Sequence, residues 1–296
     1  MSKVIITGGA GFIGSNLADK LYETGHDVLV LDNYVTGDLK NIRRHIRFEV
    51  ADISHCELPE LQNICQGAEH IYHLAATPSV QQSIKHPTVS STDVTITVKM
   101  LEVARSIGVD KFIFSSSCSV YGDCFDTDEM ENNIAPKSPY ALSKYQGEQF
   151  CQMYSTLYNL DTVCLRYFNV YGKRMPKTGS YKSVLSTFNQ AKEEGKPLNI
   201  VNDGEQRRDF IHVDDVVEAN IRASKYHDCY GCTFNIGTGT NYSVNEIADM
   251  FGGEKVYGET RMEARETLAK IGRAKKDLKW EPTKKLPEWI RSKNYG

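Results

Sequence analysis

An apolar β-type run, Val4-Ile5-Ile6, leads through Thr7 into Gly8, Gly11 and Gly14, and a segment with Leu17, Ala18 and Leu21 on one helical face follows at once. A strand that turns so tightly into a helix constrains the fold strongly. The small residues allow close backbone approach, and the helix N-terminus offers unpaired N–H groups to a pyrophosphate. A second strand, Asp27 to Leu31, ends at Asp32, where a carboxylate can accept hydrogen bonds from an adenosine ribose. The next residues, Asn33 and Tyr34, supply no arginine for a 2′-phosphate, so the pattern reads as an NAD site rather than an NADP site. Glycines that merely pack helix against strand are the competing explanation, and the context outweighs it.

The remaining chain supports a large α/β core. Its 296 residues can bury one large core or two modest ones. A net charge of -3 and a pI near 6.3 argue against nucleic acid or an anionic membrane as partner. No apolar run is long enough for a bilayer, and the first strand starts too early for a signal peptide. Cysteines at 56, 65, 118, 124, 151, 164, 229 and 232 sit mostly in apolar stretches, which suits reduced thiols in a cytoplasmic protein. Cys229-Tyr230-Gly231-Cys232 is the one CxxC. It lacks a second ligand pair, so it is read as a turn, and no metal site is expected.

Strands are expected near Ile46 to Val50, His70 to Leu74, Lys111 to Ser115 and Val163 to Tyr167, with long helices over Thr92 to Ser106 and Tyr140 to Leu157. Such alternation implies right-handed crossovers and a Rossmann-type, doubly wound parallel sheet. After about Tyr167 the pattern loosens. A helix near Ser183 to Glu194 and a short strand at Leu198 to Val201 are expected, then a helix capped by Asp214 that runs to about Lys225. Cys232 to Ile236 can return a strand to the main sheet. The expected organisation is a dinucleotide-binding domain over 1–167, with return segments near 209–237, and a smaller, interleaved lobe over 168–296.

Ligands of such folds bind beyond the carboxyl ends of the strands. There Lys111 to Phe114 ends in Ser115-Ser116-Ser117-Cys118-Ser119-Val120-Tyr121-Gly122, and Ser138-Pro139-Tyr140-Ala141-Leu142-Ser143-Lys144 opens a helix. Tyr140 and Lys144, four apart, share a helical face. A phenol near pKa 10 is a poor base at neutral pH, and an adjacent ammonium together with the positive nicotinamide ring favours its ionised form. Ser117 can bridge the phenolate and a substrate hydroxyl.

With these motifs in place, the chain resembles the extended short-chain dehydrogenases/reductases, specifically nucleotide-sugar epimerases of the UDP-glucose or UDP-N-acetylglucosamine 4-epimerase type. The resemblance runs nearly end to end. It covers Thr7 to Gly14, Asp32-Asn33, Asp52-Ile53, His73-Leu74-Ala75-Ala76, Ser115 to Gly122, Tyr140 with Lys144, Leu165 to Asn169, Arg208-Asp209-Phe210 and Asn235-Ile236-Gly237. It implies that NAD is held by Gly8, Gly11, Phe12, Ile13, Gly14, Asp32, Asn33, Thr36, Gly37, Asp52, Ile53, Leu74, Ala75, Ala76, Ser115, Tyr140, Lys144, Tyr167 and Asn169. Tyr140, Lys144 and Ser117 would be catalytic. Ser117, Ser119, Tyr140, Asn169, Tyr181, Val184, Arg208, Arg261, Glu263 and Thr267 would meet a UDP-sugar, with Arg208 and Arg261 on its phosphates. A homodimer formed by the two long helices is also implied.

Branch identity rests on fewer residues. Dehydratases and UDP-glucuronate decarboxylases of this family carry an acid where Ser119 stands, and serine there matches the 4-epimerases. A small Thr267, and Gly179-Ser180-Tyr181 followed by Val184-Leu185, resemble epimerases that admit an N-acetyl group. Cys118 is read as a packing residue and Arg207 as solvent-facing. Three departures stand out: Pro78, a short tail after Trp280-Glu281-Pro282, and Asp93 in place of the usual Asn. Asp93 is read as a solvent-facing helix residue. An elimination or decarboxylation enzyme and a catalytically silent NAD-responsive protein remain the rival readings.

Overall fold

The computed structural model describes residues 2–124, 126–129, 133–177, 182–228, 230–258, 260 and 264–293. Its first half runs β1 (Lys3–Thr7), α1 (Phe12–Glu23), β2 (Asp27–Asp32), β3 (Arg47–Val50), α2 (Leu58–Cys65), β4 (His70–His73), α3 (Val80–Lys85), α4 (Thr88–Ile107), β5 (Lys111–Ser117), α5 (Pro139–Tyr158) and β6 (Thr162–Tyr167). The second half continues with β7 (Asn169–Tyr171), α6 (Val184–Glu193), β8 (Leu198–Ile200), β9 (Arg207–His212), α7 (Val213–Ser224), β10 (Cys232–Ile236), β11 (Asn241–Ser243), α8 (Val244–Phe251), β12 (Lys255–Tyr257), α9 (Gly272–Asp277) and α10 (Leu286–Arg291).

Seven strands form one parallel sheet in the order β3-β2-β1-β4-β5-β6-β10. Side chains alternate across it, as strand geometry requires. Val4, Ile6, Tyr72, Ile113 and Val163 share one core with Leu17 and Leu21 of α1 and Val216 of α7. Ile5, Ile71, Phe112, Phe114 and Cys164 face the other way, onto Leu61 of α2, Met100 and Leu101 of α4 and Cys151 of α5. Burial on both faces explains why these strands read as continuous apolar runs. β10 pairs with β6, Cys232 against Val163, so the predicted return strand is present.

A smaller body packs beside the sheet's carboxyl end. It contains a three-stranded sheet, β11-β9-β7, a β12-β8 pair, and a core built on Tyr171, Leu185, Phe188, Phe210, Ile247 and Phe251.

Two local expectations are corrected. Asp214 does not cap α7: His212 does, its ring nitrogen accepting the Asp214 N–H at 3.2 Å, because β9 delivers the chain in extended geometry two residues earlier. Cys232 is disulfide-bonded, whereas Cys56, Cys65, Cys118, Cys124, Cys151 and Cys164 are free and Cys229 lies outside the described residues. Thiol pairing follows geometry rather than the hydropathy of flanking sequence. Among the described residues no helix is long and apolar enough to cross a membrane, and no cluster of metal-binding side chains occurs.

Candidate active site

The glycine turn is a cradle with no room for side chains. Gly8 adopts φ +68°, and a Cβ there would stand 2.7 Å from the Ala75 nitrogen. A Cβ on Gly14 would stand 2.4 Å from the Gly8 carbonyl oxygen. α1 begins after Gly11 with no side-chain cap, so the N–H groups of its first turn, at Phe12, Ile13 and Gly14, are available to an anion. Asp32 closes β2 and is nearly buried. Its Oδ2 accepts the Ala10 N–H at 2.9 Å and its Oδ1 the Tyr34 N–H at 2.8 Å, tying the strand end to the glycine loop. Gly37 lies against Asp32, and Thr36 beside it is exposed.

Past β3, the Ser54 hydroxyl and N–H bind Asp52 Oδ1 at 2.6 and 3.0 Å, holding that carboxyl below its usual range. Asn33 donates to its other oxygen at 3.3 Å. The Ile53 side chain is buried in the core under this loop. Lys99 of α4 clasps the loop from below, donating to the carbonyls of Ile53, Ser54 and Cys56 at 3.2, 2.8 and 3.0 Å. Nothing in the sequence marks Lys99 for this.

Leu74 to Ala76 leave β4 along the glycine turn, with the Ala75 N–H on Thr7 Oγ1 at 3.2 Å. Thr7 Oγ1 also meets His73 Nδ1 at 2.7 Å, and His73 Nε2 meets Thr97 Oγ1 at 3.2 Å. Burial, reinforced by the Lys144 charge, pushes His73 down to about 3, so the ring is neutral at physiological pH.

The residues expected to be catalytic lie on elements that meet where β5 ends, α5 packing against β5 and the turn that follows it. Ser117 Oγ accepts the Ser119 N–H at 3.2 Å and turns the chain into a short 3-10 segment, Cys118–Tyr121. Ser119 Oγ is buried with no partner among the described residues, an acceptor and donor left for a ligand. Cys118 is desolvated up to about 12, which fits a packing role. Ser138 caps α5 by accepting the Ala141 N–H at 3.1 Å, and Pro139 sets its first turn. That start places Tyr140 in the first turn and Lys144 one turn deeper. Lys144 is 5% exposed; its Nζ donates to the Ser115 carbonyl at 2.7 Å and lies 5.9 Å from the Tyr140 ring centroid. Burial lowers Lys144 to about 8, opposed first by Asp93 and then by Glu148.

Asp93 is therefore not solvent-facing. It is 7% exposed and accepts the Thr77 N–H at 3.1 and 3.2 Å, because α4 packs that face against α5 and the β4 exit. Beneath the site Glu148 forms a bidentate pair with Arg166, at 2.8 and 2.7 Å, and accepts the Ser116 hydroxyl. Arg166 donates to Tyr121 Oη at 2.7 Å, and Tyr121 to Asn235 at 2.8 Å. Tyr121, Arg166 and Asn235 lie in recognisable motifs, but only the fold joins them. The Tyr167 hydroxyl donates to Asn220 of α7 at 2.9 Å, inside the core, so contact with a cofactor would fall to its main chain.

In the smaller body Asn169 Nδ2 donates to the Asp209 carbonyl at 2.8 Å and lies 3.5 Å from Thr267 Oγ1. Residues 265–267 run along β9, with Asp209 N–H on the Thr267 carbonyl at 3.0 Å. Asp209 is fully buried and accepts N–H groups from Thr238, Gly239 and Ala269 at 2.8, 2.9 and 3.1 Å. Arg208 Nη1 donates to the Arg207 carbonyl, and its charge acts on Cys118, so it borders the 3-10 turn. Arg207 is not simply solvated: Glu246 and Asn241 pin it at 2.9 Å each. Val184 opens α6 and packs against the smaller core. Tyr181, Arg261 and Glu263 lie outside the described residues.

The chain is similar to known proteins over nearly its full length. Residues 4–237 match the family described as NAD dependent epimerase/dehydratase. A UDP-glucose 4-epimerase of Mycolicibacterium smegmatis is 36% identical, over 97% of this chain and 96% of its own. The crystal structure of a Thermotoga maritima UDP-glucose 4-epimerase with UDP-glucose superposes with a TM-score of 0.91 at 35% identity, covering 98% of this chain and 96% of that one. A UDP-N-acetylglucosamine 4-epimerase from Methanobrevibacter ruminantium, in complex with UDP-N-acetylmuramic acid, gives the same TM-score at 30% identity and the same coverages.

Proposed function

This chain belongs to the NAD dependent epimerase/dehydratase family, and from that membership we propose that it inverts C4 of a UDP-linked hexose. NAD is the family's cofactor, and the residues present fit it: the side-chain-free turn at Gly8 to Gly14, the uncapped α1 N-terminus and the fixed Asp32 carboxylate suit a dinucleotide. When bound, NAD would supply a reversible hydride acceptor for C4 of the sugar.

The chain's own residues supply the rest. Tyr140 takes the O4 proton and later gives it back, with Ser117 relaying it. Lys144, held by the Ser115 carbonyl, lowers the energy of the phenolate. Asn169, Arg208 and the segment leading to Thr267 hold the diphosphate end, while Ser119 meets the sugar. A tight grip on the nucleotide with sparse contacts to the hexose lets the ring present either face. We place nucleotide-sugar binding in 168–296, with segments near 209–237 returning to the dinucleotide domain of 1–167.

The observation that carries this reading is the buried Lys144, one turn beyond Tyr140 and bonded to the Ser115 carbonyl at the end of β5, with a serine rather than an acid at 119. The activities of its relatives support it. Purified protein incubated with UDP-galactose, UDP-GalNAc and UDP-galacturonate is expected to convert at least one to its C4 epimer, resolved by NMR and mass spectrometry. Release of CO2 or a 4-keto-6-deoxy product would replace the reading with decarboxylation or dehydration. Inertness toward every sugar nucleotide would remove it. Tyr140→Phe is expected to abolish turnover while NAD still binds.

We also propose a homodimer through α4 and α5. Leu142, Met153, Leu157 and Tyr158 leave apolar surface exposed on α5. Light scattering coupled to size exclusion is expected to return twice the chain mass.

A further inference from the structure

Asp93 is a buried carboxylate whose hydrogen bonding does not account for its charge. It receives the Thr77 N–H, from the loop after β4, between its two oxygens. The carbonyl oxygen of an asparagine would accept that bond equally well. Taking a carboxylate out of water is costly unless a cation compensates it. Among the described residues no lysine, arginine or histidine forms a direct ion pair with Asp93. The cation it faces through space is Lys144, across the packed α4–α5 contact.

The surroundings of Lys144 leave that role to Asp93. From its own helix come Tyr140, one turn back, and Glu148, one turn on; Glu148 is committed to Arg166 of β6 and Ser116. β4 contributes His73, which burial keeps neutral. β5 contributes the Ser115 carbonyl and the Phe114 ring, 5.2 Å from Nζ. Among the described residues, only Asp93 brings a negative charge that no other cation already neutralises.

We propose that Asp93 is a positioning residue for the reacting pair: its carboxylate is the counter-charge that keeps the Lys144 ammonium intact inside the fold, and its bond to Thr77 ties that charge to the β4 exit loop. This rests on Tyr140 and Lys144 being the acid–base machinery. Without the carboxylate, the desolvated ammonium gives up its proton at lower pH, and the alkaline limit of activity falls with it.

The test compares Asp93→Asn, which keeps the acceptor and removes the charge, with Asp93→Ala, which removes both. The first readout needs no turnover: an NMR titration of the Lys144 15Nζ resonance in the cofactor-free protein, identified by its absence from Lys144→Met. Its midpoint is expected to fall by roughly one pH unit in Asp93→Asn. The alkaline limb of kcat should fall in parallel, so that activity lost near pH 8 returns on acidification.

An unchanged Lys144 midpoint in Asp93→Asn would overturn the proposal. So would a defect confined to Asp93→Ala, which would reduce Asp93 to a loop anchor. Should Asp93→Asn fail to fold, the coupling can be read in reverse: in Lys144→Met the Asp93 carboxyl 13C resonance should titrate at higher pH than in the parent, and equality there overturns the proposal as well. A protein that epimerises nothing would end the functional reading while leaving the titration result standing.

Discussion

Lys144 Nζ donates to the Ser115 carbonyl at 2.7 Å from a site only 5% exposed, so helix α5 delivers its one buried ammonium to the end of β5. A cation placed there is destabilised by burial and stabilised by a single neutral oxygen and distant carboxylates. That balance is why it sits at about 8 rather than 10.5.

The pH dependence of stability follows. The folded Lys144 releases its proton at lower pH than the unfolded one, so the unfolded chain binds more protons between about 8 and 10.5 and this group's contribution to stability rises with pH across that window. Denaturant midpoints measured against pH should show this rise in the parent and lose it in Lys144→Met. Turnover should move the opposite way and decline above about 8, where the ammonium is lost.

Gly14→Ala should disable the dinucleotide site. The added methyl would stand 2.4 Å from the Gly8 oxygen, backbone against side chain with no flexible partner to yield. Overpacking of this kind costs about 1–3 kcal/mol and moves the turn itself. A calorimetric titration with NAD should show affinity reduced at least about tenfold, with a lower melting temperature.

Breaking the Glu148–Arg166 pair should destabilise the fold rather than only slow it. Both side chains are buried and share two hydrogen bonds. Arg166→Met strands a carboxylate and should cost about 3–5 kcal/mol. Glu148→Leu combined with Arg166→Met should recover a large part of that loss in urea unfolding, because no charge is then left buried alone.

Thr267 lies 3.5 Å from Asn169, at the junction of β7 and the strand-like segment 265–267. Thr267→Tyr should narrow the space beside the sugar. Relative kcat/KM for an N-acetylated against a hydroxylated UDP-hexose should drop by about tenfold or more. Equal loss on both substrates would place Thr267 away from the C2 substituent.

Local pattern was enough for the sheet, the glycine turn, the acid at the end of β2 and the helix-borne Tyr140–Lys144 pair. These depend on strand alternation, on steric needs for glycine and on i, i+4 spacing, each confined to a few consecutive residues. Asp93 illustrates where that reach stopped. From its own helix it looked like one more polar position, and only the packing of α4 against α5 and the β4 exit shows that it is desolvated beside Lys144. Lys99 under the Asp52 loop, His73 between two threonines, and Arg166 bridging Glu148 and Tyr121 were hidden for the same reason. Their partners are 18 to 66 positions away. A charge's burial and its compensation are properties of the surrounding volume, which the linear order of residues does not contain.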